Sequence, residues 1–142
     1  MKRLHVHLNV KDLDDSVKFY SNLFDTKPSV SKDVYAKWEL DNPPVNFAIS
    51  TQGTPGLQHL GIQATNKSEL DELYQRSEKL DAAKLDEGET VCCYARSKKM
   101  WINDPQNVAW ELFHTMGEAE NFHVSRDIQD NHTCCEPSCC NG

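Results

Sequence analysis

The sequence predicts an α+β fold in which two βαβββ modules pack together to form a curled-sheet cleft, and three observations support this prediction. Two stretches, around His5 and around His59, alternate apolar and polar residues with the period of two that is typical of half-buried strands. Each stretch is followed by apolar residues at helical spacing and then by three short strand patterns. An Asp or Asn follows each histidine at the same distance, at Asp12 and Asn66. This recurrence indicates a duplicated module.

The first predicted module covers residues 1–52. Its first strand is Leu4–Val10, and Pro28 ends the helical region that follows. One face of that helix is apolar and carries Leu13, Val17, Tyr20 and Phe24. Three strands complete the module, separated by polar or proline-containing turns: Ser29–Ser31, Tyr35–Leu40 and Val45–Ser50.

The second predicted module covers residues 53–117 and repeats this order. It opens with the strand Gln58–Ala64, and the stretch Ser68–Asp71 resembles a capping box that starts a helix. The apolar side of the helix carries Leu70, Leu73, Tyr74 and Leu80. Its remaining strands fit Val91–Arg96, Met100–Asn103 and Val108–His114. Residues 118–142 have few aliphatic side chains, and we expect them to form a mobile, cysteine-rich tail.

The charge and hydropathy of the chain exclude some partners. The net charge of −7 argues against nucleic acid or an anionic membrane as a partner. No apolar run approaches the roughly 20 residues that span a bilayer. The basic start of the chain leads into the alternating pattern of Leu4–Val10, which is typical of a strand and not of an export signal. We therefore expect a cytoplasmic protein.

The polar faces of three predicted strands point to a metal site. On the first strand of each module, His5 and His59 lie opposite the apolar face, and on the last strand Glu111 lies opposite Trp110 and Leu112. Two imidazoles and one carboxylate suit a facial site for Fe(II) with open positions. Ala48 aligns with Glu111 in the first module, so the repeat supplies three ligands and not four.

Other residues compete for these roles. His7 shares a face with His5 and is an alternative to it, and Trp38-Glu39-Leu40 copies the sequence around Glu111. We prefer Glu111, because Glu39 lies on the third strand of its module and another strand follows. His114 has the wrong parity relative to Glu111. The tail histidines, His123 and His132, fit solvated positions.

The six cysteines form three adjacent pairs: Cys92-Cys93, Cys134-Cys135 and Cys139-Cys140. In a reducing compartment we expect free thiols, which are soft ligands for soft metals and metalloids. Adjacent strand residues point to opposite faces, so Cys92 and Cys93 need a bulge or a strand end to reach one atom. One buried structural cysteine beside a chance neighbour remains the alternative for this pair. The four tail cysteines could alternatively form a tetrahedral zinc site.

The order of these motifs resembles the vicinal oxygen chelate superfamily over residues 1 to about 115. The motifs are a strand histidine, Val10-Lys11-Asp12-Leu13, Phe19-Tyr20, His59-Leu60-Gly61, Asp104-Pro105 and Trp110-Glu111. Within this superfamily, the stretch Thr90–Ala95 followed by Trp101 is similar to the corresponding sequence of organoarsenical carbon–arsenic lyases and cadmium-induced proteins. This resemblance implies His5, His59 and Glu111 as iron ligands and Cys92 and Cys93 as the arsenic-binding pair. The first ligand in that group can be Gln, so His5 is a variant.

The resemblance implies an activity that depends on Fe(II) and dioxygen, in which a trivalent organoarsenical loses its carbon–arsenic bond and arsenite is released. Two alternatives stay open. One is a glyoxalase-like lyase or isomerase that uses Ni, Zn or Mn, and the other is a thiol-based binder of cadmium or arsenic. The expected partners are this small-molecule substrate and dioxygen, and a homodimer remains open.

Overall fold

The structure is a computed structural model that describes residues 1–92 and 95–118. Its elements follow the order β-α-β-β-β twice. The first run is β1 (Arg3–Asn9), α1 (Leu13–Phe24), β2 (Val30–Lys32), β3 (Tyr35–Asp41) and β4 (Pro44–Ser50). The second run is β5 (Gly56–Ala64), α2 (Lys67–Ser77), β6 (Lys84–Cys92), β7 (Ala95–Asn103) and β8 (Ala109–Glu118). The predicted α+β class and its repeated order of elements are confirmed.

The two modules join edge to edge, whereas we expected two small sheets packed together. The described strands form one curled sheet with the order β2-β3-β4-β1-β5-β8-β7-β6. Strands β1 and β5 pair in an antiparallel manner and connect the modules. Within each module the first strand pairs in parallel with the last, β1 with β4 and β5 with β8. The two histidine-bearing strands therefore lie side by side in the middle of the sheet.

The two helices begin at the Asp and Asn that follow the histidines at equal distance. The side chains of Asp12 and Asn66 each accept a hydrogen bond from the backbone of the first helical turn. The bond from the Glu69 N–H to Asn66 Oδ1 is 2.8 Å long. The predicted capping box at Ser68–Asp71 was therefore wrong, because Asn66 satisfies the free N–H groups two residues earlier.

Both helices pack against the same face of the sheet. The cluster under α1 has four buried members, Ala36, Trp38, Phe47 and Ile49. The cluster under α2 has Ala64, Leu70, Leu73 and Leu112. Leu80 was wrongly predicted on the apolar side of α2, because the helix ends at Ser77 and Leu80 is largely exposed. With the helices on one face, the opposite face of the central strands is left for polar groups.

The strand predicted at Val91–Arg96 is wrong, because two strands meet within that range. Strand β6 ends at Cys92, β7 begins at Ala95, and these two residues are paired in the sheet. The first part of β6 was missed because its charged residues do not alternate regularly with apolar ones. Its register also shifts between Asp86 and Gly88, as at a β-bulge.

Neither helix in the described part of the chain is long and apolar enough to cross a membrane. Residues 93, 94 and 119–142 lie outside the described residues. The predictions for Cys93, for nearly all of the tail and for the tail thiols fall there, namely those for Cys134, Cys135, Cys139 and Cys140.

Candidate functional site

Three histidines lie on the face of the sheet opposite the helices. Val6 and Leu8 of β1 pack against the α1 cluster, so strand alternation turns His5 and His7 to the other face. Leu60 pairs with Val6 across the β1–β5 boundary, so His59 of β5 faces the same way as the two β1 histidines. All three rings are at most 1% exposed. The apolar pattern that builds the core thus places three imidazoles together on the opposite face.

The register between β1, β5 and β8 brings a carboxylate toward these rings. His7 pairs directly with His59, whereas His5 pairs with Gly61, which pairs on its other side with Glu111. Since Gly61 has no side chain, nothing fills the position between His5 and Glu111. A Cβ atom on Gly61 would lie only 2.5 Å from the Glu111 carbonyl oxygen and 3.2 Å from its Cβ. This close approach explains the glycine.

Two imidazole nitrogens face each other without a proton between them. The Nδ1 atom of His5 donates to the carbonyl oxygen of Asn46 at 3.1 Å, and Nδ1 of His59 donates to Oε1 of Gln58 at 2.6 Å. A neutral imidazole carries one N–H, so the lone pairs of both rings are on Nε2. These Nε2 atoms are 3.0 Å apart. Two nitrogens bound at right angles to one metal ion, with bonds of about 2.1 Å, have this separation.

Burial keeps the rings neutral. It lowers the pKa of His5 to about 4 and that of His7 to about 3, and it also lowers the pKa of His59 well below its usual value. Neutral imidazole is the form that binds metal. The outward N–H bonds of His5 and His59 match the usual arrangement of metal-binding histidines, in which the second nitrogen donates to an oxygen. The buried donor set therefore fits a divalent cation.

His7 contributes a third lone pair. Its Nε2 atom is 2.9 Å from the Ser50 hydroxyl, which itself donates to Asn9 Oδ1 at 3.1 Å. Because the Ser50 hydroxyl proton is used in that bond, His7 donates through Nε2 and keeps its lone pair on Nδ1. This Nδ1 atom is buried and has no hydrogen-bond partner. An unpaired buried acceptor is costly unless a ligand satisfies it.

Glu111 is held by a buried lysine. Its Oε2 atom accepts a hydrogen bond from Lys99 Nζ at 3.1 Å, and the two side chains are at most 1% exposed. Its Oε1 atom is buried without a partner. Burial raises the pKa of the Glu111 carboxyl, although the neighbouring Lys99 ammonium opposes this shift. One carboxylate oxygen is thus held in place and the other has no partner.

Aromatic side chains surround the imidazoles. Phe113 contacts the His5 ring edge-on, with centroids 5.2 Å apart, and Trp101 contacts the His59 ring in the same manner at 5.0 Å. These contacts restrict the rotation of the two imidazoles and exclude water from their faces.

The structure brings together some of the predicted ligands and adds one. In residues 1–92 and 95–118, one group of three potential ligands has all its ligand atoms within 4.8 Å of one another: His5, His7 and His59. Glu111 lies beside this group, on the same face of the sheet, but is not a member of it. The sequence predicts His7 only as an alternative to His5, although their shared parity on β1 places both on one face.

Lys99 was missed by the sequence analysis. A lysine within the run Lys98-Lys99 is normally solvent-exposed, and the run itself gives no sign of burial. The available signal was parity, because Lys99 shares a strand face with Trp101, which pairs with Glu111.

Glu39, the competing carboxylate, and Cys92, of the predicted arsenic-binding pair, lie on other strands than the three histidines and Glu111. Glu39 is separated from His5 by Asn46 in the sheet register, and its side chain, 36% exposed, is 3.5 Å from Lys37. Cys92 is the last residue of β6, the edge strand, which β7 and β8 separate from β5.

Comparison with known proteins identifies similar sequences over nearly the whole chain. The model of the Glyoxalase/Bleomycin resistance protein/Dioxygenase superfamily matches residues 2–112. A trivalent organoarsenical cleaving enzyme from Bacillus sp. strain MD1 is 35% identical over 149 residues, covering 97% of this chain and 92% of the relative. The cadmium-induced protein CadI of Mycobacterium tuberculosis H37Rv is 29% identical over 144 residues, covering 100% of this chain and 95% of the relative.

The fold is also found among solved structures. A variant of homoprotocatechuate 2,3-dioxygenase from Brevibacterium fuscum superimposes with a TM-score of 0.62 at 14% identity. The match covers 94% of this chain and 37% of the dioxygenase. At this identity, the comparison supports the fold alone.

Proposed function

Because this chain belongs to the Glyoxalase/Bleomycin resistance protein/Dioxygenase superfamily, we propose that it is a metal-dependent enzyme that cleaves the carbon–arsenic bond of trivalent organoarsenicals. The observation that carries the proposal is the pair of Nε2 atoms of His5 and His59, 3.0 Å apart in a buried site, with Nδ1 of each ring at hydrogen-bond distance from an oxygen. The relative from Bacillus sp. strain MD1, named for this activity, supports the choice of substrate.

The proposed ligands are His5, His59 and Glu111. Two imidazoles and one carboxylate form the donor set of Fe(II) oxygenases, and Glu111 has a buried Oε1 atom without a partner. When bound there, Fe(II) would supply open positions for dioxygen and an electron source. The hydrogen bond from Lys99 to Oε2 orients the carboxylate and leaves Oε1 for the cation.

The residues around the ligands have separate tasks. Asn46 and Gln58 accept the outward N–H bonds of the two imidazoles and so fix which nitrogen carries the lone pair. Trp101 and Phe113 keep water from the rings. The adjacent thiols Cys92 and Cys93 are the proposed capture group for the arsenic atom, because thiolates are soft ligands that prefer soft partners.

The overall reaction balances with dioxygen as the oxidant. Methylarsonous acid and one dioxygen molecule contain the same atoms as one arsenous acid and one formaldehyde. In this conversion the carbon–arsenic bond breaks, the methyl carbon is oxidised and dioxygen is reduced, while arsenic remains trivalent. The proposal therefore requires equal amounts of dioxygen consumed and arsenite released.

The test uses full-length protein loaded with Fe(II) under anaerobic conditions. After methylarsonous acid and dioxygen are added, oxygen uptake and arsenite are measured together, and we expect them to rise in equal amounts. Metal-free protein, and loaded protein given arsenite, are the controls and should consume no oxygen. Arsenite release without oxygen uptake would instead support a glyoxalase-like lyase. Tight arsenical binding without either product would support a sequestering protein.

A further inference from the structure

His7 lies in a position that the proposed iron site does not use. Its ring is fully buried, with its centroid 5.0 Å from that of His59 and 6.2 Å from that of His5. Its Nε2–H group donates a hydrogen bond to the Ser50 hydroxyl, and the Nδ1 atom has no hydrogen-bond partner. Each ring of the group thus has one nitrogen held by a neighbouring oxygen and one nitrogen that is free to bind a cation.

The three imidazoles form a donor set without any carboxylate. Their ligand atoms lie within 4.8 Å of one another, and Glu111 is outside this group. Glu111 remains paired with Lys99 through Oε2, so a cation bound by the three rings need not disturb that buried ion pair. Three histidines with a fourth open position are an established donor set for Zn(II).

We propose that His5, His7 and His59 form a second, carboxylate-free cation site that binds Zn(II) and overlaps the proposed Fe(II) site. The two sites share His5 and His59, so their occupancies exclude each other. At nitrogen donors the affinity for Zn(II) exceeds that for Fe(II), so zinc would displace iron. The three-histidine site stands on the geometry of the rings and does not depend on the carbon–arsenic activity.

The test measures Zn(II) binding by calorimetry without substrate. Because cysteine thiolates are good zinc ligands in general, the parent protein is the full-length chain with all six cysteines replaced by serine. We expect one Zn(II) per chain. The His7→Ala substitution should weaken binding by about tenfold or more, whereas Glu111→Gln should change it by no more than about threefold. The matched control is His114→Ala, since His114 is a half-buried histidine outside the group.

A second variant guards against loss of the fold. In the His7→Asn variant, the asparagine amide keeps a group that can form a hydrogen bond with Ser50, whereas alanine has none. Circular dichroism establishes that each variant is folded. The proposal is overturned if both folded His7 variants bind Zn(II) as the parent does, or if Glu111→Gln weakens binding as much as His7→Ala.

Competition tests the overlap between the two sites. One equivalent of Zn(II) should prevent Fe(II) binding to the parent protein, and His7→Ala should shift the preference toward Fe(II) by about tenfold. Simultaneous binding of both ions by the parent would show that the two sites are separate. Oxygen uptake is measured in another experiment, so a failure of the zinc site is distinguishable from a failure of the proposed activity.

Discussion

The Nε2 atoms of His5 and His59 face each other at 3.0 Å across the boundary between the two modules, and neither carries a proton. Both rings use Nδ1–H to donate to an oxygen, Asn46 O for His5 and Gln58 Oε1 for His59. Two lone pairs at this distance repel each other unless a cation lies between them. A cation bound at this position, as proposed above, would relieve that repulsion.

Replacing Glu111 should remove iron binding and turnover. Both Glu111→Ala and Glu111→Gln take away the carboxylate of a three-ligand set and leave too few donors for Fe(II). His59→Ala should have the same effect. Iron content after anaerobic loading is the measurement, with Glu39→Ala as the matched carboxylate control that keeps its iron. Loss of iron in Glu39→Ala, with retention in Glu111→Ala, would reverse the assignment.

Replacing Lys99 should destabilise the metal-free protein. In Lys99→Met, the buried Glu111 carboxylate loses its ion-pair partner, which typically costs about 3 kcal/mol of the free energy of unfolding. Urea denaturation in the presence of a chelator measures the change. Lys98→Met is the matched control, because Lys98 is half-buried and its Nζ lies 5.7 Å from the centroid of the Tyr74 ring. Equal effects of the two substitutions would contradict this role for Lys99.

The metal-free protein should lose stability as the pH falls below about 6.5. Burial lowers the folded-state pKa of His5 to about 4 and that of His7 to about 3, so the unfolded chain takes up protons first. Stability contributed by such a group is present above the unfolded pKa and is lost as the pH falls toward the folded pKa. The His7→Asn substitution should reduce the slope by about 1.4 kcal/mol per pH unit below 6.5.

This slope is measured by denaturant titration between about pH 5 and 6.5 in the parent and the variant. Glu111, whose pKa burial raises to about 7, contributes to the slope of both proteins, so the difference between them reports on His7. His114→Asn is the comparison, because His114 lies outside the buried cluster. Identical slopes for the parent and His7→Asn would show that His7 is not kept neutral by burial.

Adding one methyl group at Gly61 should displace Glu111. The new Cβ atom would meet the Glu111 backbone at 2.5 Å, and backbone atoms cannot move aside cheaply. We expect Gly61→Ala to cost about 1–3 kcal/mol in the free energy of unfolding and to weaken Fe(II) binding. At Gly53 an added Cβ would instead meet the Asn9 side chain at 2.7 Å, and that side chain can shift. A larger loss of stability in Gly53→Ala than in Gly61→Ala would contradict this explanation.

Replacing Cys92 should separate substrate capture from metal binding. A serine hydroxyl is a hard donor and does not replace a thiolate for arsenic, so Cys92→Ser should lose arsenical binding and keep its iron. Calorimetry with methylarsonous acid and iron analysis measure the two properties. Replacing Cys139 and Cys140 together should weaken capture only at low arsenical concentration. Normal activity in both Cys92→Ser and Cys93→Ser would refute the capture model.

Local sequence patterns are sufficient to predict the repeated order of elements and the orientation of the central side chains. Alternation along a strand is local, so Val6 and Leu8 on the helix side require His5 and His7 on the other side. The same alternation along β5 places His59 on that face. The predicted strand at Val91–Arg96 is wrong because β6 ends at Cys92 and β7 begins at Ala95, and local alternation does not show this boundary.

Local patterns do not predict which of these side chains come into contact. The pairing of His7 with His59, and of His5 with Gly61 and then Glu111, depends on the register of three strands that are distant in the sequence. Burial of Lys99 against Glu111 follows from the same register and is not visible in the run Lys98-Lys99. Alternation fixes the direction of a side chain, whereas its neighbours and their free lone pairs depend on contacts between strands.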